Sequence, residues 1–257
     1  MHQMDLAELR YSDTSKCIKS RNLYDATKTF QCSRTTIEKF LNCPRCFYQE
    51  NIHGLKKPPI PGYTLNIAVD ENVKTEMMNH RLRGTTPDIF KKQNLQLFQH
   101  EDLKDWQTMN KGIRFLNKER NTEYYGLVDD VLVNEMGELV MLDTKSTSKK
   151  EEMTTLENVF NNGKTYQRQL EIYSYLFQKN GFPVTSTGYL YYFNAIKDET
   201  DFNGIMRFKT TLIPVELDTT WIEPCLENLH NCLQKEEAPP PSEDCDFCLY
   251  VHLSNSL

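Results

Sequence analysis

A strand–turn–strand pattern over residues 124–142 constrains this chain more than any other stretch. Residues 124–133 are rich in aromatic and β-branched side chains, Asn134-Glu135-Met136-Gly137 supplies turn formers, and residues 138–142 resume an apolar run. The pattern predicts an antiparallel hairpin whose second strand is buried on both faces. Asp129, in Gly126-Leu127-Val128-Asp129-Asp130, stands five residues before the turn, and Asp143 stands six after Gly137. Opposed strands bring such positions within the few ångströms that one cation bridges. Two carboxylates side by side in a half-buried hairpin are costly unless a cation neutralises them. The plainer alternative is that Asp130 and Asp143 end their strands at solvent.

Lys145 follows Asp143 by two residues, so on a strand both side chains point to the same face. Two acids and a lysine at one edge of a sheet are the parts needed to hold Mg²⁺ against a phosphodiester and activate a water beside it. The next segment, residues 166–179, repeats apolar residues at helical spacing through Leu170, Tyr173, Leu176 and Phe177, and Asn180-Gly181 reads as its C-cap. Gln169 and Tyr173 are i,i+4 neighbours on that helix. Taken alone, such a pair is more often core edge than active site.

Together G-L-V-D (126–129), L-D-T-K (142–145) and Q-L-E-I-Y (169–173) resemble motifs II, III and the Q-x-x-x-Y signature of RecB-type nuclease domains, which belong to the PD-(D/E)XK superfamily. The resemblance spans residues 33–250. It implies an α/β fold with a restriction-endonuclease-like core, a central mixed sheet flanked by helices. It further implies Asp129 and Asp143 as Mg²⁺ or Mn²⁺ ligands with the Thr144 carbonyl, Lys145 as the catalytic lysine, and Gln169 and Tyr173 as supporting contacts. The family's upstream helix falls at residues 65–80, where Asp70 stands at a position commonly held by histidine and Glu71 and Glu76 are rivals. The implied activity is metal-dependent, exonuclease-like cleavage of DNA, at single strands or ends, in repair, recombination or defence, with a helicase or repair complex as a possible partner. The competing reading is a non-cleaving nucleic-acid-binding or scaffold subunit.

Of the eight cysteines, Cys43, Cys46, Cys245 and Cys248 form two C-x-x-C knuckles, and two knuckles complete a tetrahedral four-thiolate site. N- and C-terminal knuckles are therefore expected to meet at one metal centre. Zn²⁺ is the default for this spacing. Resemblance to CRISPR-associated exonucleases and to nuclease subunits of helicase–nuclease complexes implies instead a 4Fe-4S cluster, although those relatives carry one cysteine in front and three behind. The resemblance puts the 4Fe-4S cluster slightly ahead, with Zn²⁺ as the alternative. Cys225 and Cys232 lie on a predicted helix with Leu226, Leu229 and Leu233 and read as small core residues, whereas Cys17 and Cys32 have no partner pattern. Of the scattered histidines only His252, four residues after Cys248, is placed as a spare ligand.

With 257 residues the chain can bury a full core. We expect a polar arm over 1–32, a nuclease domain over 33–235, and over 236–257 a proline-rich linker delivering the second knuckle. A net charge of −6 argues against coating by nucleic acid over the whole surface. Basic residues cluster locally at Lys56-Lys57, at Arg81 with Arg83, at Lys91-Lys92 and over 111–120. Lys149, Lys150, Lys164 and Arg168 flank the proposed site and are placed to track a phosphate backbone. No leader-like or membrane-length apolar stretch is seen, so a reducing, cytoplasmic setting is expected. A first helix is expected from Ser33 or Thr35, capped by Thr35 with Glu38 and ended by Pro44; further strands are expected over 187–193 and 206–213.

Overall fold

A computed structural model describes residues 23–58, 62–198 and 200–256, so most of the polar arm, with Cys17, lies outside the described residues. In chain order the elements begin β1 (Phe30–Ser33), α1 (Arg34–Asn42), α2 (Pro44–Ile52), α3 (Thr64–Leu82), α4 (Asp88–Lys91), β2 (Gln96–Leu97) and α5 (Leu103–Trp106). Next come β3 (Ile113–Asn117), β4 (Thr122–Gly126), β5 (Asp130–Val133), β6 (Leu139–Thr147), two 3₁₀ turns and α6 (Lys164–Lys179). The chain continues with β7 (Thr187–Ala195), β8 (Phe208–Glu216), α7 (Ile222–Leu233) and α8 (Asp246–Ser254). Contacts divide it into two compact units, one of 1–31, 35–61 and 225–257 and the other of 32–34 and 62–224.

In the first unit α1 and α2 meet at Pro44. That residue ends α1 as expected, but it also starts α2, at the first helical position, where a missing N–H costs nothing. Cys43 is the N-cap of α2 and its Sγ accepts the Cys46 backbone N–H at 3.5 Å. Because α1 begins at Arg34, Thr35 lies inside the helix and is not its cap. Ile37, Phe47 and Tyr48 are buried, as are Cys225, Leu226, Leu229, Cys232 and Leu233 of α7, which agrees with the core reading of that pair of cysteines. Residues 236–245 contain neither helix nor strand before α8.

The second unit is built on a mixed five-stranded sheet of order β2-β5-β6-β7-β8. β5 and β6 form the expected antiparallel hairpin, and its turn is fixed by Asn134, whose Oδ1 accepts the N–H groups of Met136 and Glu138 at 3.0 and 2.9 Å. Gly137 closes that turn at φ 81°, in the left-handed region glycine enters without penalty. β6 and β7 run parallel, joined by the crossover through α6 that parallel neighbours require. Val69, Val73 and Met77 of α3 pack with Leu132, Val140, Leu142, Tyr191 and Phe193 on one face of the sheet. Side chains alternate along β6, so Asp143 and Lys145 belong to the opposite face, where α6 lies.

Residues 124–133, expected to be one strand, are two strands in different sheets. β4 belongs to a three-stranded sheet of order β1-β4-β3, β5 belongs to the large sheet, and residues 127–129 cross between them. Apolar patterning is the same on both sides of the crossing, so it carries no mark of the break. Gly126 sits at the crossing for a steric reason: a Cβ there would lie 2.7 Å from Cε1 of Tyr173. The ring of Tyr173 thus occupies the space that any other residue would fill, which joins the G-L-V-D motif to the Q-x-x-x-Y helix by direct packing.

Candidate active site

The hairpin register places Asp130 opposite Leu142, which puts Asp129 opposite Asp143. Asp129 Oδ2 accepts the backbone N–H of Thr144 at 2.8 Å, and its own carbonyl accepts Gln107 Nε2 at 2.5 Å. Asp143 is fully buried. Its Oδ2 pairs with the ammonium of Lys145, and its Oδ1 accepts Gln169 Nε2 at 2.8 Å. The same amide nitrogen lies 2.9 Å from the Tyr173 hydroxyl, so the i,i+4 pair on α6 forms one relay ending on Asp143. Burial pushes the carboxyl of Asp143 up to about 7, against the opposing pull of Lys145, while the charge on Asp129 adds to the rise. Burial raises the Tyr173 phenol as well, to about 12, and keeps it neutral.

The third acid comes from α3, whose residues 70, 74, 77 and 81 follow helical spacing along one side. Asp70 Oδ2 accepts Lys74 Nζ at 2.8 Å, and that ammonium also lies 3.5 Å from Asp129 Oδ1. Burial and then the charge of Asp129 push the Asp70 carboxyl up. Of the three acids weighed on this helix, Asp70 is therefore the one that senses Asp129; Glu71 and Glu76 are exposed. Lys74 went unassigned in the sequence. Burial disfavours its charge, but Asp129 and Asp70 outweigh that and hold it protonated. An Asp and a Lys four apart on the helix already assigned to the site were the available signal.

Asp130, one residue from Asp129, does something else. It is buried against Arg81, whose guanidinium grips both carboxylate oxygens and whose Nε donates to the Phe98 carbonyl at 2.9 Å. Asp130 therefore does not end its strand at solvent, and Arg81 does not belong to a solvated basic patch. Among the other basic residues singled out, Lys149 lines a cleft beside the site, Lys150 and Lys164 are exposed, and Arg168 is half-buried.

These residues suit a hard divalent cation. Asp129 interacts with both Asp143 and Asp70, although among the described residues the three carboxylates do not close to the mutual distance of a metal-ligand group as the four cysteines do, and Asp70 Oδ1 is buried with no hydrogen-bond donor there. Oxygen-only donor sets of this kind favour Mg²⁺ or Mn²⁺ over softer metals. The Thr144 carbonyl, the further ligand expected, accepts a long 3.4 Å contact from Lys145 Nζ.

In the first unit the two knuckles meet. The sulfur atoms of Cys43, Cys46, Cys245 and Cys248 all lie within 4.8 Å of one another. Burial would raise the Cys43 thiol, but the backbone N–H groups of Cys46 and Ser242 outweigh it and bring that thiol down to about 6, a thiolate at neutral pH. Lys57 Nζ lies 3.8 Å from Cys245 Sγ and 5.4 Å from the centre of the Phe247 ring, so this lysine offsets thiolate charge instead of facing solvent alone. His252 lines a neighbouring cavity with Cys46 and Cys248 but is not one of the four converging ligands.

The PD-(D/E)XK nuclease superfamily profile matches residues 64–253, most of the chain, and the protein belongs to that superfamily. No curated protein matches it. A solved structure described as the crystal structure of SSO0001 is similar over 94% of this chain and 90% of that one, at 15% identity and a TM-score of 0.36. That likeness is too slight to bear on function. No helix among the described residues is long and apolar enough to cross a membrane.

Proposed function

We propose that the chain is a Mg²⁺- or Mn²⁺-dependent nuclease of the RecB type that hydrolyses phosphodiester bonds in DNA. The observation that carries this reading is Asp129 interacting with both Asp143 and Asp70, with Lys145 paired to Asp143, in a chain of the PD-(D/E)XK superfamily. A divalent cation held by the three aspartates and the Thr144 carbonyl would neutralise phosphate charge and lower the pKa of a water. Lys145 holds the attacking water and offsets charge growing on phosphorus. Gln169 fixes the rotamer of Asp143, and Tyr173 fixes Gln169. Lys149, Lys150, Lys164 and Arg168 track the strand on either side, and exonuclease-like action within repair or defence, beside a helicase partner, is the setting the resemblance implies. In this reading catalysis sits within residues 33–235, and residues 236–257 deliver the second knuckle to the cysteine centre.

The test is cleavage of end-labelled single- and double-stranded DNA and of RNA by anaerobically purified protein with Mg²⁺, with Mn²⁺ and with EDTA. Metal-dependent cleavage that disappears in Asp143→Ala is the expected result. Tight DNA binding without cleavage by the folded, metal-loaded protein would replace this reading with a scaffold role.

For the cysteine centre, sulfur spacing supports Zn²⁺ over a four-iron cluster. Three of the sulfur pairs are 3.4, 3.6 and 3.9 Å apart. Zn–S bonds of about 2.3 Å set tetrahedral sulfurs roughly 3.8 Å apart. A 4Fe-4S cluster binds each thiolate on a different iron and holds its sulfurs farther apart. Elemental analysis should find about one zinc per chain, as four thiolates around one ion require, and no iron. Cys245→Ser should lose that zinc and most soluble expression, because the free energy of binding a structural metal is folding free energy. Iron in fourfold excess over zinc would reverse the assignment, and a stable, metal-free Cys245→Ser protein would refute a folding role for the cysteine centre.

A further inference from the structure

A cleft of about 580 Å³ opens beside the proposed catalytic lysine in the second unit. Its lining includes Tyr63, Leu65, Tyr166, Tyr192, Met206 and Phe208. Tyr192 is buried and forms part of the floor, paired across the sheet with Lys145, whereas Tyr63 is 76% exposed and Leu65 58% exposed at the rim. A polar border runs along Ser146, Thr147, Ser148 and Lys149, the four residues that follow Lys145. Asn66 Nδ2 donates to the Ser146 carbonyl at 2.8 Å and so ties the first turn of α3 to that border. Lys145 Nζ stands 4.9 Å above the ring of Tyr166, which makes this tyrosine the wall shared by the catalytic centre and the cleft.

We infer that the cleft seats an unpaired nucleobase of the strand being cut, next to the scissile phosphate, with Tyr166 and Tyr63 as its stacking surfaces. The inference rests on the nuclease reading and adds a base-binding subsite to it. A strand rises about 3.3 Å per residue, so the border carries a backbone roughly 10 Å from Lys145, within reach of an adjoining nucleotide. Aromatic faces beside a cationic rim are what a flexible nucleic-acid strand recognises, since every base has a π-face and every linkage a charge. A paired base cannot enter, because both its faces are stacked within the duplex. The nucleotide beside the cut must therefore be single-stranded or frayed, and the contact tolerates any base.

The experiment walks a single 2-aminopurine, and in parallel a single abasic residue, through a single-stranded oligonucleotide bound to the full-length protein. Binding is read with Ca²⁺ in place of Mg²⁺, and cleavage is then read with Mg²⁺. Fluorescence should be quenched at one or two adjacent positions, and an abasic residue there should lower kcat/KM about tenfold, the usual worth of one stacked base. In Tyr63→Ala, an exposed change that leaves the fold alone, quenching should vanish and intact and abasic strands should be cut at equal rates. Tyr166→Leu should behave the same way. Position-independent quenching, or an abasic penalty that survives in both variants, overturns the inference. Localised quenching by a protein that cleaves nothing would support the base seat while removing the nuclease reading.

Discussion

Lys145→Ala is expected to lower turnover on DNA by roughly two to three orders of magnitude, the usual consequence of removing one preorganised charge from a transition state. The ammonium sits on the sheet face shared with Asp143, beside α6, and is mostly shielded from water, so its field is little screened. The fold should survive, because Asp143 keeps its hydrogen bond from Gln169 and burial already places its carboxyl near 7, where it can take a proton when the lysine is gone. Without its partner Asp143 should make the variant less stable in EDTA than in Mg²⁺, so metal should raise its melting temperature more than it raises that of the wild type. Lys145→Arg should recover only part of the rate, because a planar guanidinium cannot replace a compact ammonium over the Tyr166 ring. Steady-state rates and thermal melts with and without Mg²⁺ check both halves. Undiminished cleavage by Lys145→Ala would remove this lysine from the mechanism.

Those parts of the site that were legible in the sequence are the ones governed by short-range periodicity. Strand alternation puts Lys145 on the face of Asp143, turn chemistry at Asn134 and Gly137 sets the register that opposes Asp129 to Asp143, and helical spacing stacks Gln169 on Tyr173. Each relation spans a few residues, and each has a fixed period. The α/β class with a mixed sheet was legible for the same reason, since strand and helix patterns alternate along most of the second unit.

What escaped depends on contacts between distant residues. Arg81 and Asp130 are 49 positions apart, and nothing in either local pattern announces a buried pair. Lys57 reads as one of two adjacent surface lysines until Cys245, 188 positions later, is brought beside it. The split of residues 124–133 into β4 and β5 escaped because both halves are equally β-prone, and the only mark of the break is a glycine whose bare Cα makes room for Tyr173. Sequence shows that Gly126 is small; only packing shows what fills the space. Pro44 was legible as a stop but not as a start, since the same ring that blocks a helix interior is preorganised for a first turn.

Adjacent aspartates provide the sharpest separation of chemistry from architecture. Asp130→Ala should lower the free energy of unfolding by about 3–5 kcal/mol, because it leaves the guanidinium of Arg81 buried without its counter-charge. Asp129→Ala, one residue earlier, should change stability little when metal is absent. It loses the bond from the Thr144 N–H, worth about 1 kcal/mol, and the 3.5 Å contact with Lys74, which keeps Asp70 as its partner, but relieves the repulsion that Asp129 exerts on Asp70 and Asp143. On cleavage the order reverses: Asp129→Ala should be inactive, whereas Asp130→Ala, assayed below its melting temperature, should retain most of its rate. A double replacement, Arg81→Met with Asp130→Leu, should recover much of the lost stability, since a buried ion pair exchanged whole for apolar side chains is often neutral or better. Urea denaturation in EDTA gives the stabilities, and initial cleavage rates give the activities. Equal stability losses at the two positions would mean that Asp129 is held in place by architecture as much as Asp130 is, and its assignment to the metal would fall.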